Sequence, residues 1–416
     1  MFSWKTWLSP YRGMPKEIYV IFAARIINAL GCFVMPLLTI ILTQNIGLSK
    51  QMTGLYISIS GLLNVPSALI GGKLADTIGR KKVIMLFDGL AIAFYLAAGL
   101  LRPSLLMAYI LMLAGACMVT AGPAHDALIA DLTTAQTRNG AYALSYMGWN
   151  IGFAIGPIMG GILYRNHLPL LFIGDALTAL VALVLIARFI PETLWKTKIT
   201  VTAPSRLEKG EKGSIMAVLL KRPILLYFSV IMMGYNFAYA QWAFMLPMQT
   251  IQDFPGFGAE YFGYIAAFNG FVVMLFTPIV LKITEGISNM RRMVCGGIFY
   301  ALGFGMLGIF HALALIFLCA FVYTLGEIIL AISVTPFVVS HTPISHRGRM
   351  NSLIPMIFRL GDTLGPVVMG YILTYISIES GWRLIGISAL FFTVLMFGLE
   401  KWEGRQHIQV SKDARV

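Results

Sequence analysis

Charge is scarce in this chain of 416 residues. Only 12% are Asp, Glu, Lys or Arg, and acidic residues are scarcer still, 18 against 31 basic. Soluble domains carry roughly a quarter charged residues. With 58% hydrophobic residues and a mean hydropathy of +0.79, a soluble fold of this length would leave too much apolar surface in water. Cysteine is scarce too: Cys32, Cys117, Cys295 and Cys319 all fall inside apolar runs and read as small buried hydrophobes, with no sign of a disulfide or a metal site. There is no G-x-x-x-x-G-K-[ST] loop, which speaks against ATP as the driving force, and no cofactor is implied. With no metal-ligand spacing and no Ser/His/Asp arrangement on a soluble domain, an enzyme hypothesis has nothing to stand on. A net charge of +13 raises nucleic acid as a partner, but the basic residues sit in short segments between apolar runs, which argues against it. No cleavable signal is evident. The first apolar run lacks an A-x-A-like site and is too long for a signal core, so it reads as a span.

What is present is a succession of apolar runs of about 20 residues or more, the length a helix needs to cross the hydrocarbon core. The reading is an all-α membrane protein of twelve spans, near 18–43, 53–75, 83–102, 104–130, 142–165, 168–190, 224–250, 259–283, 292–313, 314–340, 350–376 and 382–400. The break between spans three and four is marked by Arg102-Pro103; the one between spans nine and ten, near His311, is weak. The 41 glycines suit a bundle whose helices pack closely.

Twelve spans also sort the charge. Of the 31 Lys and Arg, only Lys50, Arg102, Arg165 and Arg383 fall on one face, and Arg25 and Arg359 lie within spans. All the others share the face that holds both termini. An odd number of spans would scramble this split, and the bias predicts that the basic face is cytoplasmic. The longest polar stretch, 191–221, contains Glu208-Lys209-Gly210-Glu211-Lys212 and reads as a cytoplasmic linker, with a short amphipathic piece around 213–220 as an option. It would separate an N-terminal six-helix bundle (1–190) from a C-terminal one with a short cytoplasmic tail (222–416). The halves repeat: Arg138, Gly152, Gly156, Pro157 and Gly161 recur as Arg347, Gly361, Gly365, Pro366 and Gly370, each pair 209 residues apart. Parallel repeats of this kind usually carry a substrate site at their interface near the bilayer midplane.

The loop between spans two and three reads Gly72-Lys73-Leu74-Ala75-Asp76-Thr77-Ile78-Gly79-Arg80-Lys81-Lys82. Gly72 suits close helix approach, Asp76 can cap a helix or meet a positive group, and Arg80 can reach a carboxylate at the end of span four, where Asp131 lies. The loop resembles motif A of the major facilitator superfamily, with Thr77 where a basic residue is common. The resemblance implies twelve helices in two pseudo-symmetric bundles, and a conformational latch made of Gly72, Asp76, Gly79, Arg80 and Asp131. The bland alternative is that these charges only set topology.

Span five carries Gly148-Trp149-Asn150-Ile151-Gly152-Phe153-Ala154-Ile155-Gly156-Pro157-Ile158-Met159-Gly160-Gly161. Glycines at spacing four make a smooth packing face, and Pro157 bends the helix. The segment is similar to motif C, the antiporter motif of drug–proton exchangers, in Gly152, Gly156, Pro157, Gly160 and Gly161, and so implies export. Span eleven holds a partial copy, so packing accounts for part of the pattern. Span four lacks the arginine usual in motif B.

In span ten, Tyr323-Thr324-Leu325-Gly326-Glu327-Ile328 is similar to the corresponding segment of the LmrP-type multidrug–proton antiporters; Thr120 through Asp131 and Gln241 through Pro247 also resemble that group. The resemblance implies that Glu327 binds protons and cations. Two other acidic positions of that family are replaced here, by Ser145 and Ala243.

A charge at mid-bilayer costs about 3 kcal/mol or more, so each asks for a reason. Glu327 lies near the middle of span ten, where burial would let it hold a proton in one state and release it in another. Asp126, one turn inside span four beside His125, is a second candidate for proton coupling. Arg359 and Asp362, three apart, can form a membrane charge pair on one helical face. Arg25 and Asp88 lie within about two turns of the cytoplasmic end, where Arg25 admits packing or gating, and Asp175, two turns into span six from the outer side, reads as a helix-packing residue. Asn28, Tyr146, Trp149, Asn150, Tyr235, Asn236, Tyr239, Trp242, Phe268 and Asn269, with Glu327, suggest a greasy, weakly polar substrate site, since aromatic faces hold cations and the 23 methionines adapt to varied shapes. Ordinary packing explains any one of them as well.

These features together predict a proton-coupled exporter of lipophilic, cationic small molecules, a multidrug antiporter working by alternating access as a monomer in the cell membrane. Its partners would be substrate, protons and lipids. The rivals are a facilitator or symporter of a sugar, carboxylate or amino acid, and a transporter of lipid-like molecules.

Overall fold

The computed structural model describes residues 13–134, 137–194, 223–342 and 347–413. Twelve helical spans run through them: α1 (Lys16–Asn45), α2 (Lys50–Ile78), α3 (Arg80–Leu100), α4 (Leu105–Asp131), α5 (Arg138–Phe153, resuming as Gly156–Asn166), α6 (Leu168–Phe189), α7 (Pro223–Asp253), α8 (Gly258–Ile283), α9 (Asn289–Leu307), α10 (Leu313–His341), α11 (Arg347–Ile372) and α12 (Ile378–Asp413). There is no strand among the described residues. Nine of the spans are long and apolar enough by themselves to cross a membrane. The other three carry visible reasons for falling short: α5 is interrupted, α9 opens on Arg291 and Arg292, and α11 carries Arg359 and Asp362. The linker expected at 191–221, with its amphipathic piece, lies beyond Leu194 outside the described residues.

Two boundaries differ from the sequence expectation. The weak break near His311 is a full turn: α9 stops at Leu307, where the Gly308 N–H turns back to Gly305 and Met306 carbonyls, and α10 starts at Leu313. The chain there is apolar enough to hide the turn in a hydropathy reading. At the other junction, α11 ends at Ile372 and α12 starts at Ile378, because the Ser377 hydroxyl accepts the Ser380 N–H at 3.2 Å and caps the new helix.

The chain divides into two compact units. One holds residues up to Ser49, Ile59–Thr202 and Pro247–Gly270; the other holds Lys50–Ser58, Ala203–Leu246 and everything from Phe271. Within the first, α3 packs on α4 and α6, and α1 on α5 and α6. Within the second, α9 packs on α10 and α12, and α7 on α11 and α12. This is one pattern used twice. The repeat sets it at atomic detail: α5 begins on Arg138 and α11 on Arg347. A methyl group at Gly152 would strike the Ile26 carbonyl and Ala29 of α1; one at Gly361 would strike the Met233 carbonyl and Phe237 N of α7. Gly161 lies against the Ala259–Glu260 backbone of α8, and Gly370 against the Lys50 carbonyl of α2.

Prolines place two interruptions. Pro157 lacks an N–H and its ring opposes the carbonyl four residues back, Phe153, where the first part of α5 ends. Pro36 does the same to Cys32, and α1 is broken over Gly31–Phe33 before resuming at Val34. The outer faces of the spans carry large apolar side chains in the open, among them Leu69, Leu100, Val184, Ile283 and Val394. Such surfaces suit hydrocarbon, where only helices with their backbone bonds closed internally survive.

Candidate functional site

The end of the first unit that carries the basic residues is organised around Gly79. Its φ of 118° joins α2 to α3 in a region that favours glycine. Arg80, the next residue, meets Asp131 (Nε to Oδ2, 3.1 Å) and the exposed Asp76 (Nη2 to Oδ1, 3.2 Å), and donates to the Ala75 carbonyl at 2.8 Å. Close approach of α2 falls on Gly71, whose Cα faces the Thr120 carbonyl; Gly72 has ordinary room, with Pro123 the nearest neighbour of an added methyl. That corrects the expected role of Gly72.

Sequence reading missed Glu192, just past α6. One carboxylate oxygen accepts the N–H of Arg80 at 2.9 Å, of Thr193 at 2.9 Å and of Leu194 at 3.2 Å; the other accepts the Lys82 N–H at 3.4 Å. Burial raises this carboxyl, but the four N–H groups outweigh it and hold Glu192 below the ordinary glutamate range. Thr193 donates to Asp131 at 2.7 Å, and Lys81 caps the end of α6 through the Ala187 and Ile190 carbonyls. The segment leaving α6 is thus tied into the cluster around Arg80 and Asp131.

Deeper in the same unit, Arg25 of α1 interacts with Asp88 of α3 and Asp126 of α4. His125 Nε2 meets Asp88 Oδ2 at 2.9 Å, a pair the sequence did not suggest. Asp126 itself is exposed, and its carbonyl accepts the Tyr142 hydroxyl at 2.9 Å. Asp175 of α6 is buried; it accepts the Val34 N–H at 3.2 Å and that of Phe33, capping the resumed part of α1. Of the proposed binding residues here, Tyr146 is exposed, Trp149 stacks on Phe153 and Asn150 turns back onto the Tyr146 carbonyl. Asn28 is partly buried, Phe268 is in the same unit, and Asn269 is buried.

In the second unit, Glu327 of α10 is hydrogen-bonded to the Tyr239 hydroxyl and lies within electrostatic reach of Tyr300 and Tyr323. Tyr239 stacks on Tyr300 with ring centroids 5.8 Å apart and sits beside Trp242 at 6.2 Å. Gly326 and Gly296 make this possible, since each lies against the other helix's backbone and draws α9 onto α10. Asp362 faces Tyr300, and Arg359 acts on it through space; the two form no salt bridge, which corrects the expected direct pair. Tyr235 is a core residue rather than a binding one: it is 1% exposed and its hydroxyl donates to Thr393 at 3.2 Å. Asn236 likewise turns back onto the Met232 carbonyl. Helical periodicity could not separate these inward residues from Tyr239, one turn away.

Comparison with known proteins bears on this arrangement. The chain is 24% identical over 359 residues to a Na(+), Li(+), K(+)/H(+) antiporter of Planococcus maritimus, covering 80% of this chain and 84% of that one. It is 22% identical over 385 residues to the multidrug resistance protein MdtH of Salmonella arizonae, covering 91% and 92%. Its fold superimposes on the crystal structure of the peptide transporter POT in complex with sulfate, with a TM-score of 0.76 at 16% identity over 95% of this chain and 96% of that one. The family profile described as Major Facilitator Superfamily matches residues 21–361 and 289–412, and the chain, a multi-pass membrane transporter, belongs to that superfamily.

Proposed function

We propose that this protein is a proton-coupled exporter of lipophilic cations in the cell membrane, with both termini cytoplasmic and two halves (1–190 and 222–416), working by alternating access. The observation that carries the reading is Glu327, a carboxylate inside a membrane helix whose neighbours are tyrosine rings. A proton and a substrate cation compete for such a group: the acid form is neutral and releases the cation, and the carboxylate binds it. Tyr239, Tyr300 and Trp242 supply π faces that hold a cation after it leaves water. Asp126 serves as a second coupling position, and the Arg80–Asp131–Asp76 cluster latches one conformation. The multidrug relative supports the organic substrate.

The Planococcus relative favours a second reading, in which Na+, Li+ or K+ takes the place of the organic cation at the same carboxylate. Both are tested in proteoliposomes under an imposed pH gradient. Accumulation of tetraphenylphosphonium that collapses with the gradient supports the first. Accumulation of radioactive sodium or rubidium, with none of the organic cation, supports the second. No gradient-driven uptake of either rejects proton-coupled cation transport.

A further inference from the structure

We propose that the open cleft between the start of α3 and the segment leaving α6 is a seat for one anionic phospholipid, its phosphate on Lys82 and Arg188 and its acyl chains along the two helices. The cleft has a volume of about 530 Å³ and is lined by Lys81, Lys82, Met85, Leu86 and Glu192. Most charged groups around it are already engaged. Arg80 pairs with Asp131 and Asp76, and Arg138 donates to the Ala130 carbonyl beside Asp131 at 3.2 Å, so two cations there stand against two carboxylates. The Glu192 carboxylate accepts the N–H groups of Arg80, Lys82, Thr193 and Leu194. Lys81 spends two of its three donors on the Ala187 and Ile190 carbonyls, at 2.6 and 2.7 Å, and meets no carboxylate among the described residues. Lys82 and Arg188 differ: both are exposed, and neither side chain has a hydrogen-bond or ion-pair partner among the described residues. Arg188 follows Ala187, whose carbonyl Lys81 holds, so α6 brings a second free cation to the rim that Lys82 lines. Lys81, Lys82 and Arg188 against Glu192 leave the cleft with an excess of positive charge.

Away from these cations the surface turns apolar. Leu86 and Leu90 follow Lys82 at intervals of four, are exposed, and share its face of α3. On α6, Leu177, Val181 and Val184 are exposed and lead up to Arg188 at helical spacing. The two helices pack on each other, and each carries an apolar lane that ends in a free cation. The lane from Lys82 to Leu90 covers about 12 Å of helix. A free anion has no use for such lanes, and a protein partner would have to reach them through hydrocarbon. A phospholipid with a net negative headgroup fits both parts. Its phosphate oxygens accept charge-assisted hydrogen bonds from the ammonium and the guanidinium, and its chains cover the leucine and valine faces. A zwitterionic phospholipid brings a cation of its own, which the excess positive charge disfavours.

The test is native mass spectrometry of the purified full chain in detergent, titrated with dioleoyl phosphatidylglycerol or dioleoyl phosphatidylcholine. The wild type is expected to bind one phosphatidylglycerol in preference to phosphatidylcholine. Lys82→Gln combined with Arg188→Gln is expected to weaken phosphatidylglycerol binding about tenfold or more and to leave phosphatidylcholine binding unchanged. Lys73→Gln, which removes an exposed cation of α2 outside the cleft, is expected to bind as the wild type does. Equal affinity of the wild type for the two lipids, or an unchanged affinity in the double variant, overturns the seat. The same loss in Lys73→Gln overturns it too, since net charge alone would then govern binding. Release of the lipid by excess glycerol phosphate would make the headgroup alone the ligand and also overturn it. If the double variant fails to fold, Lys82→Gln decides by itself: a several-fold loss is expected, and an unchanged affinity contradicts the proposal.

Discussion

The Glu192 carboxylate and the Arg80 backbone N–H, 112 residues apart in sequence, meet at 2.9 Å. Through this bond the segment leaving the sixth span is fastened to the turn that opens the third. The contact is charge-assisted, and it leaves the Arg80 side chain for Asp131 and Asp76.

The first expectation follows from that bond. Glu192 has its folded pKa below the ordinary glutamate value, so its contribution to stability is present above that value and lost as pH falls through the lowered one. Unfolding of the detergent-solubilised protein, followed from neutral pH down to acid, is expected to show a Tm decline that is shallower in Glu192→Gln. At neutral pH the variant is expected to lose on the order of 1 kcal/mol, since the site is partly solvated. An identical acid limb in the two proteins would remove Glu192 from the account.

A second expectation concerns the glycine faces. Gly152→Ala forces a methyl against the Ile26 carbonyl and Ala29, and Gly361→Ala does the same against Met233 and Phe237. Each is expected to destabilise by about 1–3 kcal/mol. Gly115→Ala in α4 has open space and is expected to be neutral or stabilising. Equal Tm values for all three would show that these close approaches do not hold α1 to α5 or α7 to α11.

Asp175 supplies a third. It caps α1 where Pro36 has broken the helix, so Asp175→Ala strands the buried Val34 N–H, while the Phe33 N–H keeps the Gly31 carbonyl, and is expected to cost about 1–3 kcal/mol, whereas Asp175→Asn keeps an acceptor and recovers most of the loss. If the two variants unfold alike, the carboxylate has a role other than capping.

Much of the architecture was readable before any coordinates. Hydropathy located the spans, and the repeat offset of 209 residues matched Gly152 with Gly361 as packing equivalents. What escaped has a common physical cause. The His125–Asp88 and Glu192–Arg80 contacts join residues far apart in sequence, and no local periodicity carries them. The turn at Gly308 lies in an apolar stretch, so hydropathy runs through it. Tyr235 and Tyr239 share a helix and a residue type, yet one closes on Thr393 in the core and the other on Glu327. Composition alone assigns both to a binding face.

The central claim is that Glu327 exchanges a proton for a cation. The most direct measurement is proton movement in proteoliposomes loaded with a pH-sensitive dye, on addition of tetraphenylphosphonium, for wild type and Glu327→Gln. Cation-dependent proton flux in the wild type that falls by about tenfold or more in the variant, the loss of at least 1.4 kcal/mol of coupling, is the expected result. Full flux in Glu327→Gln would contradict the account.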